Sequence, residues 1–306
     1  MNYRTSFYTA ALLVPLFACA QEGTQPDSTD YITDGVFTTG VEGPVVDANG
    51  VLYAVNFAEQ GTIGRITAKD EASLLVKLPG NSIGNGLRFN SKGQLLVADY
   101  VNHNVLAVDI QSGDVSVFAH EPAMNQPNDI AISASDTVYA SDPNWSKSTG
   151  QLWMITADGK VQLVEAEMGT TNGVEVSPDE QFLYVNESVQ RKVWRYELDG
   201  KGKPVNKTLF YQFSDHGLDG MRTDTQGNLY IARYGAGTIA VLSPKGELVR
   251  EYRLKGQHPT NVAFGGSDGR TLYVTMQQRG AVETLQVEHP GRAFMLREQA
   301  KDQPYP

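Results

Sequence analysis

The stretch Thr171–Glu187, TNGVEVSPDEQFLYVNE, is one of six versions of the same pattern along the chain. Each version has a polar residue, usually followed by glycine, then a short alternating apolar run, a turn and a second apolar run. The intervals between successive versions are 43, 43, 44, 47 and 42 residues. A repeat of this length that is filled with strands is typical of a radial array of four-stranded sheets. The sequence therefore predicts an all-β fold, a six-bladed β-propeller.

The polar residue that begins each repeat is predicted to lie at the central axis. Equivalent positions of the blades reach the same height around the channel, so a repeated polar residue there forms a ring. Asn or Asp before Gly is also common in turns. A carboxylate or carboxamide at all six positions, with Glu at the first, favours the ring over that simpler explanation. The six residues are Glu42, Asn85, Asn128, Asn172, Asp219 and Asn261.

The fifth repeat shows the plan of a blade most clearly. Its predicted strands, separated by glycine-containing turns, cover residues 220–223, 228–234, 238–242 and 248–254. The tyrosines that recur in the second strands are expected to pack between neighbouring blades. A ring must also be closed, and residues 31–38 are predicted to pair into the last blade. The other strands expected in that blade cover 271–276, 281–287 and 292–297.

Composition favours one folded domain and argues against a nucleic-acid partner. The net charge is −10, and no Lys/Arg cluster lies beside an aromatic stripe. The repeat assigns residues 31–297 to the propeller, preceded by a polar linker over 21–30 and followed by a polar tail over 298–306. We expect a monomer.

Residues 1–20 are predicted to be an export signal. They contain one arginine, no acid, and an apolar run over 10–20 that is too short to span a bilayer. The chain's only cysteine, Cys19, ends the sequence LFAC, which resembles the lipobox of bacterial lipoproteins. The sequence ACA also fits ordinary cleavage before Gln21, in which case Cys19 is incidental. Either interpretation places the protein in the periplasm or envelope. Only the first gives it contact with a membrane, through a lipid anchor on Cys19.

The ring has the chemistry of a metal site. Glu42 and Asp219 supply two negative charges, and Asn128 and Asn172 supply neutral oxygens at the same level. Oxygen ligands with two carboxylates suit a hard divalent cation, so Ca²⁺ is expected, with Mg²⁺, Mn²⁺, Fe²⁺ or Zn²⁺ as alternatives. Two carboxylates facing each other without a cation would repel. The competing interpretation is a ring that binds only water and backbone groups.

Several stretches carry a resemblance to a known family: VEGPV from Val41, QPNDI from Gln126, TNGVEVSPDEQFLYV from Thr171, LDGM from Leu218 and PTNVAFGG from Pro259. They resemble the regucalcin and gluconolactonase (senescence marker protein) propellers, a lactonase family to which the squid-type diisopropyl fluorophosphatase is also similar. The resemblance covers roughly residues 41–276. It implies a six-bladed propeller with one catalytic divalent metal in the axial channel.

The resemblance also implies roles for individual residues. The metal would be held by the counterparts of Glu42, Asn172 and Asp219. Asn128 matches a fourth ligand or a substrate contact, and Asn85 beside it is a further candidate for contacting substrate. Several members have an arginine two residues before that fourth position, where this chain has Gln126. Gln126 is therefore predicted to contact substrate and to bear on substrate preference.

Asp219 is the first candidate for the general base, because a carboxylate at the edge of the metal can accept a proton from the attacking water. His216 is the alternative, since imidazole titrates near neutrality, although a loop histidine is often simply solvated. Other polar or aromatic side chains that follow the second strands could face the same cavity. They are Tyr100, Asp142, Trp145 and Tyr234.

These residues predict an exported, metal-dependent hydrolase that opens a small sugar lactone. Two alternatives stay open: a non-catalytic binding scaffold with a structural metal, and hydrolysis of phosphoesters or fluorophosphates at the same centre. A propeller alone does not distinguish them. The sequence has no GxSxG nucleophile elbow and no phosphate-cradling glycine loop.

Overall fold

Residue 1 and residues 25–301 are described by the structure, a computed structural model. The strands form six four-stranded antiparallel sheets. Innermost strands of neighbouring sheets contact one another in sequence, and the first contacts the last, which closes the ring. The prediction of a six-bladed β-propeller is confirmed. Within the described part of the chain, no helix is long and apolar enough to cross a membrane.

Each blade runs from an inner strand at the channel to an outer strand at the edge. The chain starts with β1 (Thr29–Ile32), which belongs to the last blade. Blade 1 contains β2 (Val45–Val46), β3 (Leu52–Val55), β4 (Thr62–Ala68) and β5 (Glu71–Lys77). Blade 2 contains β6 (Gly84–Phe89), β7 (Leu95–Asp99), β8 (Asn104–Val108) and β9 (Val115–His120). Blade 3 contains β10 (Ile130–Ile132), β11 (Val138–Asn144), the 3₁₀ turn η1 (Trp145–Lys147), β12 (Thr149–Ile155) and β13 (Val161–Met168).

The second half of the chain repeats this order. Blade 4 contains β14 (Thr171–Val176), β15 (Phe182–Glu187), β16 (Lys192–Leu198) and β17 (Pro204–Gln212). Blade 5 contains β18 (Met221–Thr223), β19 (Leu229–Arg233), β20 (Thr238–Leu242) and β21 (Leu248–Arg253), within one residue of the predicted bounds. Blade 6 contains β22 (Pro259–Gly265), β23 (Thr271–Met276) and β24 (Ala281–Gln286), with β1 at its outer edge.

The apolar core is divided among the interfaces between blades. Each of six buried clusters draws residues from two neighbouring blades. Tyr53 of blade 1 packs edge-on against Phe89 of blade 2, with 5.6 Å between ring centroids. Tyr230 of blade 5 packs against Phe264 of blade 6 in the same way, at 5.1 Å. For these two tyrosines the predicted packing between blades is confirmed.

Glycine after the ring residue lets neighbouring inner strands approach closely. A Cβ atom on Gly220 would lie 1.9 Å from Cγ of Asn261. One on Gly43, whose φ is +57°, would lie 2.0 Å from the carbonyl oxygen of Asn85. The Gly220 N–H donates to the Thr260 carbonyl of the next blade at 2.7 Å. At these positions the repeated polar-Gly pair therefore marks contact between blades at the channel.

The end of the described chain differs from the prediction. Where a strand was expected over 292–297, the chain forms the helix α1 (Arg292–Lys301), which also crosses the expected boundary with the tail at 298. The outer place in blade 6 is already taken by β1, so no free edge remains beside β24. The chain instead turns beneath blade 5, where Gly291 forms a bridge with Asp224.

The N-terminal strand closes the ring as predicted, over Thr29–Ile32 instead of 31–38. Arg279 stabilises this closure through contacts with three carboxylates. Its Nη2 lies 2.8 Å from Asp30 Oδ1, its Nε donates to Asp34 at 2.9 Å, and its Nη1 lies 2.6 Å from Glu283 Oε1. Glu283 is completely buried. The guanidinium therefore neutralises a buried carboxylate while holding the entering strand.

Arg279→Met should lower the free energy of unfolding by about 2–3 kcal/mol, because Glu283 would stay buried without its cation. Urea unfolding followed by circular dichroism measures the change. Arg270→Met is the matched control: Arg270 pairs with Asp268 at the surface, where an ion pair contributes about 0–1 kcal/mol. Equal losses in the two variants would contradict the role given to Arg279.

Candidate active site

The polar ring lies at the upper end of the channel, where the inner strands begin. It opens into a cavity of about 610 Å³. The ring residues that line this cavity are Glu42, Asn85, Asn128, Asn172 and Asp219. Asn261, the sixth, is fully buried and is not in the lining. The structure thus brings together all four predicted metal ligands and Asn85.

Glu42 and Asp219 form a close carboxylate pair. Burial raises the pKa of Glu42 to about 7, and the negative charge of Asp129 adds to the shift. Burial, followed by the charge of Glu42, raises the pKa of Asp219 well above its ordinary range. The two side chains are near enough to share a hydrogen bond. Without a compensating cation, this pair therefore disfavours its doubly ionised state.

The two asparagines beside this pair have unused acceptors. Asn128 Oδ1 and Asn172 Oδ1 are buried and have no hydrogen-bond partner among the described residues. Buried polar atoms without partners are rare, and an unseen ligand is one explanation. Two carboxylates and two free amide oxygens form an acceptor-only set, which fits a hard divalent cation. Because the described residues contain no metal-binding group of three or more His, Cys, Asp or Glu, such a cation would depend on these amides.

Neighbouring asparagines hold the carboxylate pair in place. Asn261 Nδ2 donates to Glu42 Oε2 at 3.1 Å, while its Oδ1 accepts the Val262 N–H at 2.9 Å. Asn186 Nδ2 donates to the backbone carbonyl of Asp219 at 2.6 Å. Asn261 is therefore a support for Glu42, and its acceptor is already used.

Two predicted functional residues lie apart from the cavity. His216 is exposed in the loop before Asp219, in the left-handed backbone conformation at φ +48°, and is not in the lining. Gln126 is also outside the lining, and its backbone N–H donates to Asp142. Their predicted roles stay predictions, and neither residue lines the cavity in this structure.

The rim of the cavity lies above the ring and has one residue from each blade. The loop after the second strand of each blade contributes a lining residue. In order around the ring these are Gln60, Tyr100, Trp145, Ser188, Tyr234 and Gln277. Tyr100, Trp145 and Tyr234 were among the residues expected to face the cavity.

Asp142 has a different position from the one expected. It is fully buried outside the ring cavity, and it accepts the Asn125 N–H and Trp153 Nε1 at 2.9 Å each. Burial raises its pKa. With its oxygens bound to these donors, Asp142 fixes the loop that precedes Asn128.

A buried charge network below the ring was not predicted. Glu175 Oε2 lies 3.2 Å from Arg88 and 3.8 Å from Arg222, and its Oε1 lies 3.8 Å from Arg292. Asp129 lies 3.5 Å from both Arg88 and Arg222. The repeats contained a signal, because the residue three places after the ring position is Arg88, Glu175 or Arg222 in three blades.

The network closes the lower end of the channel. Arg292, at the start of α1, is buried, donates to the Ile132 carbonyl at 3.1 Å and pairs with Glu180. Guanidinium and carboxylate groups therefore fill the channel beneath the acceptor ring. The ring therefore faces the cavity on its rim side.

Comparison with known proteins gives a matching family model and similar individual proteins. The family model described as "SMP-30/Gluconolactonase/LRE-like region" matches residues 41–278. A gluconolactonase from Zymomonas mobilis is 28% identical over 269 residues, covering 76% of this chain and 75% of that protein. A diisopropyl-fluorophosphatase from Loligo vulgaris is 25% identical over 287 residues, covering 83% of this chain and 90% of that protein.

A similar solved structure is that of a calcium-binding protein, regucalcin, from Agrobacterium tumefaciens. Its TM-score is 0.76 at 22% identity, covering 86% of this chain and 95% of that one. At this identity the likeness shows the fold alone.

Proposed function

Because the chain belongs to the SMP-30/gluconolactonase/LRE-like family, as its motifs predicted, we propose that it is a metal-dependent hydrolase that opens a small sugar lactone. One observation carries the proposal: an open cavity has at its floor a carboxylate pair beside two buried amide oxygens without partners. The relative named gluconolactonase supports the choice of substrate. Glu42, Asn128, Asn172 and Asp219 would hold the cation, for which Ca²⁺ is the first choice.

A divalent cation bound at these oxygens would polarise the ester carbonyl and stabilise the negative charge that develops on its oxygen. The chain's own residues supply the remaining steps. Asp219 accepts the proton from the attacking water, since its carboxylate lines the cavity and is held through its backbone by Asn186. Asn128 and Asn85 orient the lactone by hydrogen bonds from their amide groups. Opening the ring gives a hydroxy acid.

Purified protein should release acid from aldonolactones in weak buffer at a rate above the spontaneous one. Chelator should abolish this excess, and Ca²⁺ or another divalent cation should restore it. Isothermal titration calorimetry of the chelated protein gives cation binding independently of turnover. If the cation-loaded protein binds its metal but opens no lactone and cleaves no phosphoester, the non-catalytic scaffold is the better interpretation.

The second candidate substrate class is phosphoesters or fluorophosphates. It is favoured by the match to a diisopropyl-fluorophosphatase, which extends over 83% of this chain. The same acceptor ring would serve either reaction, because both develop negative charge on an oxygen of the substrate. Fluoride or alcohol release from an organophosphate, measured beside the lactone assay, ranks the two classes by kcat/KM.

We also propose that the protein is exported and that Cys19 carries a lipid anchor. The support is the composition of residues 1–20 and the LFAC sequence, and the segment 2–24 lies outside the described residues. Fractionation of cells that produce wild-type protein or Cys19→Ser tests the anchor. The predicted monomer likewise stays a prediction, which size-exclusion chromatography with light scattering can test.

A further inference from the structure

We propose that Trp145 and Tyr100 form an apolar subsite for a lactone that carries an apolar substituent. The proposal rests on the lactonase function above and specifies the substrate class of the same cavity. Both side chains line the rim on adjacent blades, 2 and 3. Pockets for small molecules commonly combine such apolar walls with a few polar groups that fix orientation.

The rim is polar on the opposite side. Blades 4, 5, 6 and 1 contribute Ser188, Tyr234, Gln277 and Gln60. Tyr234 directs its hydroxyl to Gln277 Oε1, so its polar atom is part of that side. The rim therefore has one aromatic sector across two blades and one sector of hydrogen-bonding groups across four.

The two carboxylates of the ring beneath have the same asymmetry, whereas its amides lie beneath both sectors, with Asn172 in blade 4 and Asn261 in blade 6. The carboxylates Glu42 and Asp219 belong to blades 1 and 5, beneath the polar sector. The neutral amides Asn85 and Asn128 belong to blades 2 and 3, beneath the aromatic sector. A lactone placed over the ring would thus turn its hydroxyl-bearing edge to blades 4 to 1 and its apolar group to blades 2 and 3.

Burial in the core does not explain the position of Trp145. It is 41% exposed, although indole is a large hydrophobic group, and η1 contains no buried residue. Polar contacts fix the turn instead: Asn144 Oδ1 accepts the Lys147 N–H at 3.2 Å, and Ser148, at φ +53°, donates its N–H to the Trp145 carbonyl at 3.3 Å. The backbone of the turn is thus fixed by polar contacts, and the exposed indole is available to pack against a ligand.

The test compares two lactones that share one reacting group, γ-butyrolactone and γ-nonalactone, which differ by a pentyl substituent. Trp145→Ala should raise KM for γ-nonalactone roughly five- to tenfold, as expected for the loss of apolar contact with several methylene groups, with kcat within about twofold. KM for γ-butyrolactone should change by less than about twofold, and Trp145→Phe should restore most of the loss. Val189→Ala is the control, because Val189 is 49% exposed in blade 4 and does not line the cavity.

A second readout does not depend on turnover. The γ-pentyl lactam keeps the carbonyl and substituent of γ-nonalactone but resists hydrolysis, so its titration should change tryptophan fluorescence saturably in wild type and not in Trp145→Phe. Equal KM changes for both lactones, or no fluorescence change, would overturn the subsite. If the lactam perturbs Trp145 but neither these two lactones nor the aldonolactones are opened, the proposed reaction fails while the subsite stands.

Discussion

Asp219→Asn should lower kcat for lactone opening by on the order of 10²–10⁴, even when the cation is saturating. The amide can still offer an oxygen to a cation, but it cannot accept a proton from water at neutral pH. Initial rates measured across a cation titration separate the two effects. A variant that regains wild-type kcat at high cation concentration would show that Asp219 is a ligand only.

Glu42→Gln is the matched comparison, because it removes the other carboxylate of the pair with little change in shape. It should weaken cation affinity by at least about tenfold, equivalent to about 1.4 kcal/mol, and its kcat should recover when the site is filled. His216→Ala distinguishes the alternative base. Since His216 is exposed and outside the cavity lining, its removal should leave kcat within about twofold. A large loss in His216→Ala would mean that this loop closes over the channel during turnover.

The sequence repeat predicts those features that depend only on strand register, and the structure has these features. Each blade repeats the same inner-strand position, so the repeat alone predicted that Glu42, Asn128, Asn172 and Asp219 lie together, and they line one cavity. The glycine after the ring position also has a local cause, which is the approach of neighbouring strands at Gly220. Such features need only the period and the geometry of a propeller.

Features that depend on loop paths or on distant partners were harder to predict. The position of His216 follows from the left-handed turn of its loop, which spacing does not encode. Arg88 and Glu175 are 87 residues apart, and Arg292 lies outside the repeats altogether, where the remaining sequence suggested another strand. The buried charge network below the ring was therefore not predicted as a unit, although the repeats contained several of its residues.

The same buried charge network is the basis of the second large predicted effect. Glu175→Gln should lower the free energy of unfolding by about 3–5 kcal/mol, because Glu175 contacts three guanidinium groups in a desolvated channel. The environment of Arg222 supports this direction. Burial, and then the positive charge of Arg88, already lower the pKa of Arg222 to about 10, whereas Glu175 opposes that shift. Removing the carboxylate leaves the buried cations with less compensation.

Urea unfolding of Glu175→Gln measures the loss, and Glu247→Gln is the control. Glu247 is exposed in a turn of blade 5, where the same chemical change should alter stability by less than about 0.5 kcal/mol. Adding Arg88→Met to Glu175→Gln removes one of the cations left uncompensated, so the double variant should be less destabilised than the sum of the single changes. Strict additivity would mean that the two side chains do not interact, and a loss in Glu175→Gln no larger than that in Glu247→Gln would mean that water compensates the arginines. Either result would contradict a desolvated charge network beneath the acceptor ring.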